Sequence, residues 1–169
     1  MPDRSVAIAN SFLDISGALG RVTQMQLQKL VYFSHGWNLA ISGQPLCTDN
    51  VEAWDYGPVF RDLYDHAKYF GKDPVTRRIR PDDDTALRFF IDQNNIAPFN
   101  AELTQQEREI IQNVWDRYAH LNAFEMSNLT HMPETPWYKV YNGNGRGALI
   151  PNPLIHQHFV ALGQAVVAD

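Results

Sequence analysis

Six histidines are the residues of this sequence best suited to acid–base or metal chemistry. The tightest pair is His156 and His158, but a spacing of two places the two rings on different faces of a helix. Metal sites on helices favour spacings of three or four. We therefore favour a structural role for this pair. A hydrolase or metalloenzyme built around His35, or around His156 and His158, stays as an alternative hypothesis.

The other motifs that could carry chemistry are weak. Cys47 is the single cysteine, and no patterned histidine or G-x-S-x-G motif accompanies it, so it is expected to be a small buried side chain. The glycine-rich run at residues 142–147 lacks the strand, helix and acidic residue of a dinucleotide-binding loop. The acidic run at residues 82–84 suits a solvated helix N-terminus better than a cation site. We predict no catalysis, no metal and no cofactor.

Polar residues interrupt one otherwise apolar segment, which the spacing of its apolar residues predicts to be a helix over about residues 24–41. Ser34, His35 and Asn38 lie within it. A buried polar group without a hydrogen-bond partner costs about 1–3 kcal/mol. These side chains are therefore expected to form a satisfied internal network, which we favour over a functional pocket.

The segment from Ala53 to Phe60 carries three large aromatic side chains around a tight turn. Tryptophan and tyrosine are frequent anchors in protein interfaces, because they offer a large contact area at low entropic cost. Aromatic residues at a turn can equally cover the end of a core. The sequence favours neither interpretation.

The charge balance argues against binding to nucleic acid. Fourteen lysines and arginines stand against nineteen aspartates and glutamates, a formal net charge of -5. Residues 1–71, 72–102 and 103–169 each carry more acidic than basic groups, unlike proteins that bind a phosphate backbone. A mildly acidic protein is better suited to a basic protein partner. The basic run at residues 77–80 keeps DNA-binding autoregulation as an alternative.

Length and composition predict a single domain over residues 1–169. A chain of this size with 44% apolar and 12% aromatic residues can form a core without a disulfide or a metal. The N-terminal segment carries acidic residues early and no 18-residue apolar run, so we expect neither export nor a membrane span. The expected location is the cytoplasm.

The predicted fold is mainly α, a compact multi-helix bundle with a small β element. Capping boxes at Thr23, Thr104 and Asn122 indicate the starts of three helices. Pro58 is expected in the first turn of another helix.

The β element is expected in two places. Residues 46–55 are extended in pattern, and we expect two short strands there around a turn at residues 48–50. A further short strand is expected at residues 148–150. Residues 72–102 read as a variable, linker-like segment.

Three blocks in the first half resemble the signature of the Panacea domain family, also called SocA-like or GepA-like proteins. They are LQKLVYFSHGWNLA at residues 27–40, GQPL at residues 43–46 and VEAWDYGPV at residues 51–59. Later stretches around Trp115 and Trp137 resemble the second half of that family. The motif residues that we expect to serve as scaffold are Leu27, Lys29, Leu30, Tyr32, His35, Gly36, Trp37, Pro45, Gly57 and Pro58.

This resemblance implies an antitoxin of a toxin–antitoxin pair, of the kind often carried on prophages and mobile elements, that neutralises a co-encoded protein toxin by direct binding. The alternative that it implies is a proteolytic adaptor that delivers the toxin to a AAA+ protease. The family has no established catalytic residues to carry over. For an antitoxin, we predict partner contacts at the exposed parts of Trp54, Asp55, Tyr56, Phe60, Arg61, Arg77 and Arg78.

Overall fold

The computed structural model describes residues 1–92, 94, 96–141, 143 and 147–168. Within this part of the chain, seven α-helices and one small antiparallel sheet form the fold, which confirms the prediction of a mainly α protein with a minor β element. In chain order the elements are α1 (Ser5–Leu13), α2 (Gln24–Ser42), β1 (Val51–Trp54), β2 (Gly57–Phe60), α3 (Arg61–Ala67), α4 (Gln105–Tyr118), α5 (Ala123–His131), α6 (Pro136–Val140), β3 (Ala148–Ile150) and α7 (Asn152–Ala168).

Three helices begin where the capping boxes predict. Thr23, Thr104 and Asn122 precede α2, α4 and α5, and each side chain accepts a hydrogen bond from the main-chain N–H three residues later. The side chain of that later residue in turn accepts from the main-chain N–H of the cap. Two of the donors that a helix N-terminus leaves free are thereby satisfied at each start.

Helix α2 is the centre of the molecule and packs against α1, α4, α5, α7 and β2. It is buried on most of its circumference, as its apolar sequence predicts. Gly36 lies where α7 crosses it. A Cβ atom at Gly36 would lie 2.2 Å from the ring of Phe159, so this crossing requires the absence of a side chain.

The sheet has the order β2-β1-β3 and is antiparallel throughout. Of the two strands expected within residues 46–55, only β1 is present, and its hairpin partner β2 lies after it. The turn is therefore Asp55-Tyr56, and the expected turn at residues 48–50 is wrong. Leu46 and Cys47 are buried, but Cys47 makes an isolated bridge to Asp3 beside α1.

The expected position of Pro58 in a helix is also wrong, because Pro58 lies in β2 opposite Ala53. β2 is an edge strand, where a residue without an N–H is tolerated. The helix that was expected to follow begins three residues later, as α3.

Residues 72–102 are held against α1 by buried contacts. Val75 and Ile79 are fully buried. The Asn10 side chain donates to the carbonyl oxygens of Ile79, at 2.9 Å, and of Phe99, at 2.8 Å, and accepts from the Ile79 N–H at 2.7 Å. One buried amide of α1 thus fixes two points of this segment.

The acidic run at residues 82–84 is not a solvated helix N-terminus. Asp83 is buried and accepts hydrogen bonds from the Arg77 guanidinium, at 3.0 Å, and from the Arg80 N–H, at 2.7 Å. Asp82 pairs with Arg80 at 3.2 Å. The basic and acidic blocks therefore neutralise each other within a short 3-10 turn. Of the glycine-rich run at residues 142–147, residues 142 and 144–146 lie outside the described residues.

Candidate functional site

The polar residues of α2 form the internal network that the sequence predicts. The main-chain N–H of Cys47 donates to His35 Nδ1 at 3.1 Å, and His35 Nε2 lies 2.9 Å from Asn152 Oδ1. Asn38 donates to the carbonyl of Gln44 and Ser34 to that of Val31. Burial lowers the pKa of His35. Both ring nitrogens of His35 are thus used to join α2 to its neighbours.

The other candidates for chemistry are dispersed. Cys47 is buried, and burial raises the pKa of its thiol well above the ordinary value. His156 and His158 are half-buried on α7. Across the described residues, no group of three or more histidine, cysteine, aspartate or glutamate side chains could hold a metal ion. In the same part of the chain, no helix has the length and apolarity needed to cross a bilayer.

The β1–β2 hairpin is fastened to α5 and α6 by side chains that bind its main chain. Trp137 Nε1 donates to the carbonyl of Trp54 at 2.6 Å, Ser127 Oγ to that of Tyr56 at 2.7 Å, and His131 Nε2 lies 3.1 Å from that of Asp55. The three carbonyl groups around the turn therefore all have partners, and the turn is held in one position.

Gly57 shows how closely the hairpin is packed. Its φ is +113°, and a Cβ atom there would lie 2.7 Å from Thr130 Oγ1 and 2.9 Å from Lys29 Cε. A side chain at this position would be strained and would also displace its neighbours. The motif therefore needs glycine here so that the hairpin can lie directly on α2 and α5.

The predicted contact residues of the hairpin have very different exposures. Tyr56 is 69% exposed, and Asp55 is exposed and accepts a hydrogen bond from the Tyr141 hydroxyl. Trp54 is only 7% exposed, and its ring contacts Tyr64 with a centroid distance of 4.7 Å. The exposed surface expected of Phe60 is absent, because Phe60 is 0% exposed and belongs to the core.

The three predicted contact arginines are held in ion pairs. Arg61 makes two hydrogen bonds to Glu52, at 2.9 and 3.0 Å, and these lower the pKa of that carboxyl. The Arg77 side chain pairs with Asp83, and Arg78 Nε lies 3.1 Å from Asp14 Oδ1. Arg77 and Arg78 therefore fasten residues 72–102 in place, and they are distant in the chain from the hairpin.

Several side chains of the motif blocks line one concavity, which we call the hairpin pocket. Its volume is about 370 Å³, and it lies between the hairpin, the first turns of α2 and the end of α3. Met25, Trp54, Val59 and Tyr64 contribute apolar wall, and Tyr56 lies at the rim. Of the residues predicted as partner contacts, Trp54, Asp55 and Tyr56 line this pocket, whereas Phe60, Arg61, Arg77 and Arg78 do not.

Lys29 also lines the hairpin pocket, although the sequence marks it only as scaffold. It is 2% exposed, and its ammonium is 3.4 Å from the carbonyl of Pro58. Burial lowers the pKa of Lys29 to about 8. The signal that identifies Lys29 in the sequence is its charge, because it is the one lysine, arginine, aspartate or glutamate in helix α2.

The remaining motif residues lie in or beside the core. Gly57 and Pro58 are buried in β2, while Trp37 and Pro45 are half-buried. Burial also raises the pKa of the Tyr32 hydroxyl. The buried members on α2 besides Lys29 are Leu27, Leu30, Tyr32, His35 and Gly36.

A second concavity of about 440 Å³ lies between α2, α4, α5 and α7. Phe33, Tyr118, Leu129 and Leu162 contribute to its largely apolar lining. None of the charged groups among its lining residues is fully buried. It is the natural comparison for the hairpin pocket, because it is of similar size and lacks the buried ammonium.

The family described as "Antitoxin SocA-like, Panacea domain" matches residues 27–138 of this chain. The chain belongs to this family. The resemblance seen in the motif blocks is thereby confirmed. The matched range contains most of α2, the whole hairpin and α3 to α5. The matched range therefore includes most of the residues that line the hairpin pocket.

A curated relative supports the same assignment. The chain is 30% identical over 141 residues to antitoxin SocA of Caulobacter vibrioides (strain NA1000 / CB15N). The aligned part covers 82% of this chain and 71% of that protein. No solved structure matches the chain.

Proposed function

We propose that this protein is an antitoxin that neutralises a co-encoded protein toxin by binding it directly in the cytoplasm. The observation that carries the proposal is its membership of an antitoxin family, over residues 27–138. The 30% identity to a curated antitoxin along most of the chain adds to it.

The geometry favours binding over catalysis. The most buried histidine, His35, uses both ring nitrogens in internal hydrogen bonds. The buried Cys47 thiol has a raised pKa, whereas a nucleophilic cysteine needs a lowered one. We therefore propose a protein without enzymatic activity, which acts through its surface.

The surface that we propose for the toxin is the hairpin tip together with the rim of the hairpin pocket. Tyr56 provides an exposed aromatic side chain on a fixed main chain, and Asp55 and the exposed half of Arg61 lie on the same hairpin or at its end. Trp54 supports this surface from below through its contact with Tyr64. Rigid aromatic groups beside a concavity are typical of interface hot spots.

A second contact region is proposed in residues 72–102. Phe89 and Phe90 are 92% and 87% exposed, which is unusual for two adjacent phenylalanines. Arg77 and Arg78 hold the base of this segment and have partly exposed guanidinium groups. Because specificity often lies in such segments, we propose that this region selects the toxin.

Co-expression with the neighbouring gene tests the proposed function. The neighbour is expected to stop growth of a bacterial host when expressed alone, and co-expression of this chain is expected to restore growth. A tagged form of the chain should then co-purify the neighbour. A neighbour that is harmless alone and does not co-purify would reject the proposal.

The same system separates direct masking from delivery to a protease. Direct masking predicts that the toxin stays abundant in the rescued cells and that rescue persists when the host's AAA+ proteases are deleted. Delivery predicts a short toxin half-life that depends on both this chain and a protease. Toxin levels after translation is stopped distinguish the two mechanisms.

A further inference from the structure

Lys29 is a buried cation whose hydrogen-bonding capacity is largely unused. No carboxylate in the described part of the chain lies within 4.0 Å of its ammonium, and its one hydrogen bond, to Pro58, is 3.4 Å long. An ammonium group has three donors. Buried charges in proteins are ordinarily paired and hydrogen-bonded. Lys29, which is among the residues that line the hairpin pocket, therefore has donors available for an anionic or strongly accepting group.

The rest of the hairpin pocket is also biased towards an anion. Gln24 and Met25, the first two residues of the 19-residue helix α2, line it, and a helix N-terminus carries a partial positive charge. Lys72 lies at the rim. The one acidic lining residue, Asp55, already accepts a hydrogen bond from Tyr141. This local excess of positive charge lies on a protein whose net charge is -5.

We propose that the hairpin pocket binds the carboxylate of a glutamate or aspartate side chain of the toxin, with Lys29 as its counter-ion. This proposal rests on the proposed function, since it names the group of the toxin that the pocket recognises. The apolar walls formed by Met25, Val59 and Tyr64 would cover the aliphatic stem of that side chain, while the carboxylate reaches the ammonium.

The shape and charge of the pocket favour this occupant over other anions. A chain-terminal carboxylate carries a peptide N–H beside it, which would need its own acceptor in a largely apolar wall. A nucleic acid backbone presents a row of phosphates and is bound by many exposed cations. Here a single buried lysine is among the residues that line a cavity of about 370 Å³, which suits one side chain.

Replacement of Lys29 by methionine is the central test. Methionine has a similar length and no charge, and Lys139→Met removes a lysine from α6 as the matched control. In titrations with purified toxin, the Lys29→Met variant is expected to bind at least tenfold more weakly than wild type. The control is expected to bind within twofold of wild type.

The pH dependence gives a readout that a purely structural lysine would not alter. The ratio of wild-type to Lys29→Met affinity cancels the titration of the toxin's own groups. This ratio is expected to fall at least fivefold between pH 7 and pH 9.5, as Lys29 of the free protein loses its proton. A ratio that is independent of pH would overturn the proposal.

A measurement on the unmodified chain covers the case in which the variant does not fold. With isotope-labelled lysine, NMR reports the pKa of Lys29 in the free protein and in the toxin complex. A bound carboxylate is expected to raise this pKa by more than one unit. Coverage by a neutral surface would lower it or leave it unchanged, and would overturn the proposal.

Toxin variants identify the source of the anion. One acidic residue of the toxin, changed to its amide, is expected to weaken binding as much as Lys29→Met, with no further loss when the two changes are combined. If removal of the toxin's terminal carboxylate shows this non-additivity with Lys29→Met instead, the proposed occupant is wrong. It is also wrong if nucleic acid competes with the toxin for the pocket. Toxin binding that is equal in wild type and Lys29→Met rejects this inference alone, whereas a wild-type chain that does not bind toxin rejects the proposed function.

Discussion

Tyr56 combines a fixed main chain with an exposed side chain. Its carbonyl accepts a hydrogen bond from Ser127, and the following Gly57 lies against Lys29 and Thr130. A partner that covers this ring would order few additional torsions, because the main chain is already held in place. Anchors of this kind contribute strongly to affinity.

Replacement of Tyr56 by alanine is expected to weaken toxin binding by about 2 kcal/mol, the usual size of a hot-spot effect. Because the side chain is 69% exposed, the free energy of unfolding should change by less than about 0.5 kcal/mol. Calorimetric titration and thermal melting measure the two quantities. Leu162→Ala, in the second concavity, is the control. Weaker binding for Leu162→Ala and unchanged binding for Tyr56→Ala would contradict this prediction and would indicate that the toxin binds at the second concavity.

The buried charge of Lys29 is also expected to make the free energy of unfolding depend on pH. Its pKa in the folded state is about 8, below the ordinary value of 10.5, so the unfolded chain holds the proton more tightly. Below pH 8 the buried charge therefore destabilises the fold, and this penalty is relieved as the pH rises from 8 to 10.5. The full penalty is about 3 kcal/mol at 1.36 kcal/mol per pKa unit.

Denaturant unfolding of wild type and Lys29→Met between pH 7 and pH 10.5 tests this prediction. Methionine at this position is expected to be at least as stabilising as lysine at pH 7, as often happens when a buried charge is replaced by an apolar group. The difference in free energy of unfolding between the two proteins should shift in favour of wild type as the pH rises. A wild-type advantage at pH 7 that shrinks with pH would show instead that Lys29 has a counter-ion in the free protein.

At the scale of elements, the helices were predictable and the hairpin only in part. Capping boxes at Thr23, Thr104 and Asn122 are local signals, so the sequence alone locates those three helix starts. The hairpin depends on distant partners: Trp137 and Ser127 fix the turn at residues 55 and 56. Residues 48–50 resemble a turn equally well in composition, and no local rule separates the two.

The candidate site was predicted to a similar extent. The aromatic segment identified Trp54, Asp55 and Tyr56, which do line one pocket. Composition did not reveal that Phe60 faces the core, because a four-residue strand with every residue buried has no alternating pattern. The pairing of Arg77 and Arg78 with acidic residues likewise depends on tertiary structure.

The Asn10 side chain makes three of the hydrogen bonds that attach residues 72–102 to α1. Asn10→Ala removes all three hydrogen bonds between this amide and the main chain at Ile79 and Phe99. It leaves a buried N–H and carbonyl groups without their partner, so the free energy of unfolding is expected to fall by about 2–3 kcal/mol. Chemical denaturation measures the loss. Asp14→Ala, which removes one exposed ion-pair partner of Arg78, is the control and should cost less than about 1 kcal/mol.

At the scale of the whole molecule, we propose that residues 1–169 form a single domain. One cluster of buried side chains takes members from α1, α2, the sheet, α4 and α7, and includes Val75 and Ile79 from the variable segment. A shared core of this kind predicts one cooperative unfolding transition. Circular dichroism and tryptophan fluorescence should report the same midpoint, and two separate midpoints would divide the chain into two units.

The central claim is that this molecule acts by contact with a protein toxin. Titration calorimetry of the purified neighbouring gene product into the purified chain, without protease or nucleotide, tests it most directly. We expect a saturable complex of fixed stoichiometry whose affinity falls for Tyr56→Ala and Lys29→Met. No heat of binding and no complex on gel filtration, for a neighbour that is toxic in the same preparation, would contradict it.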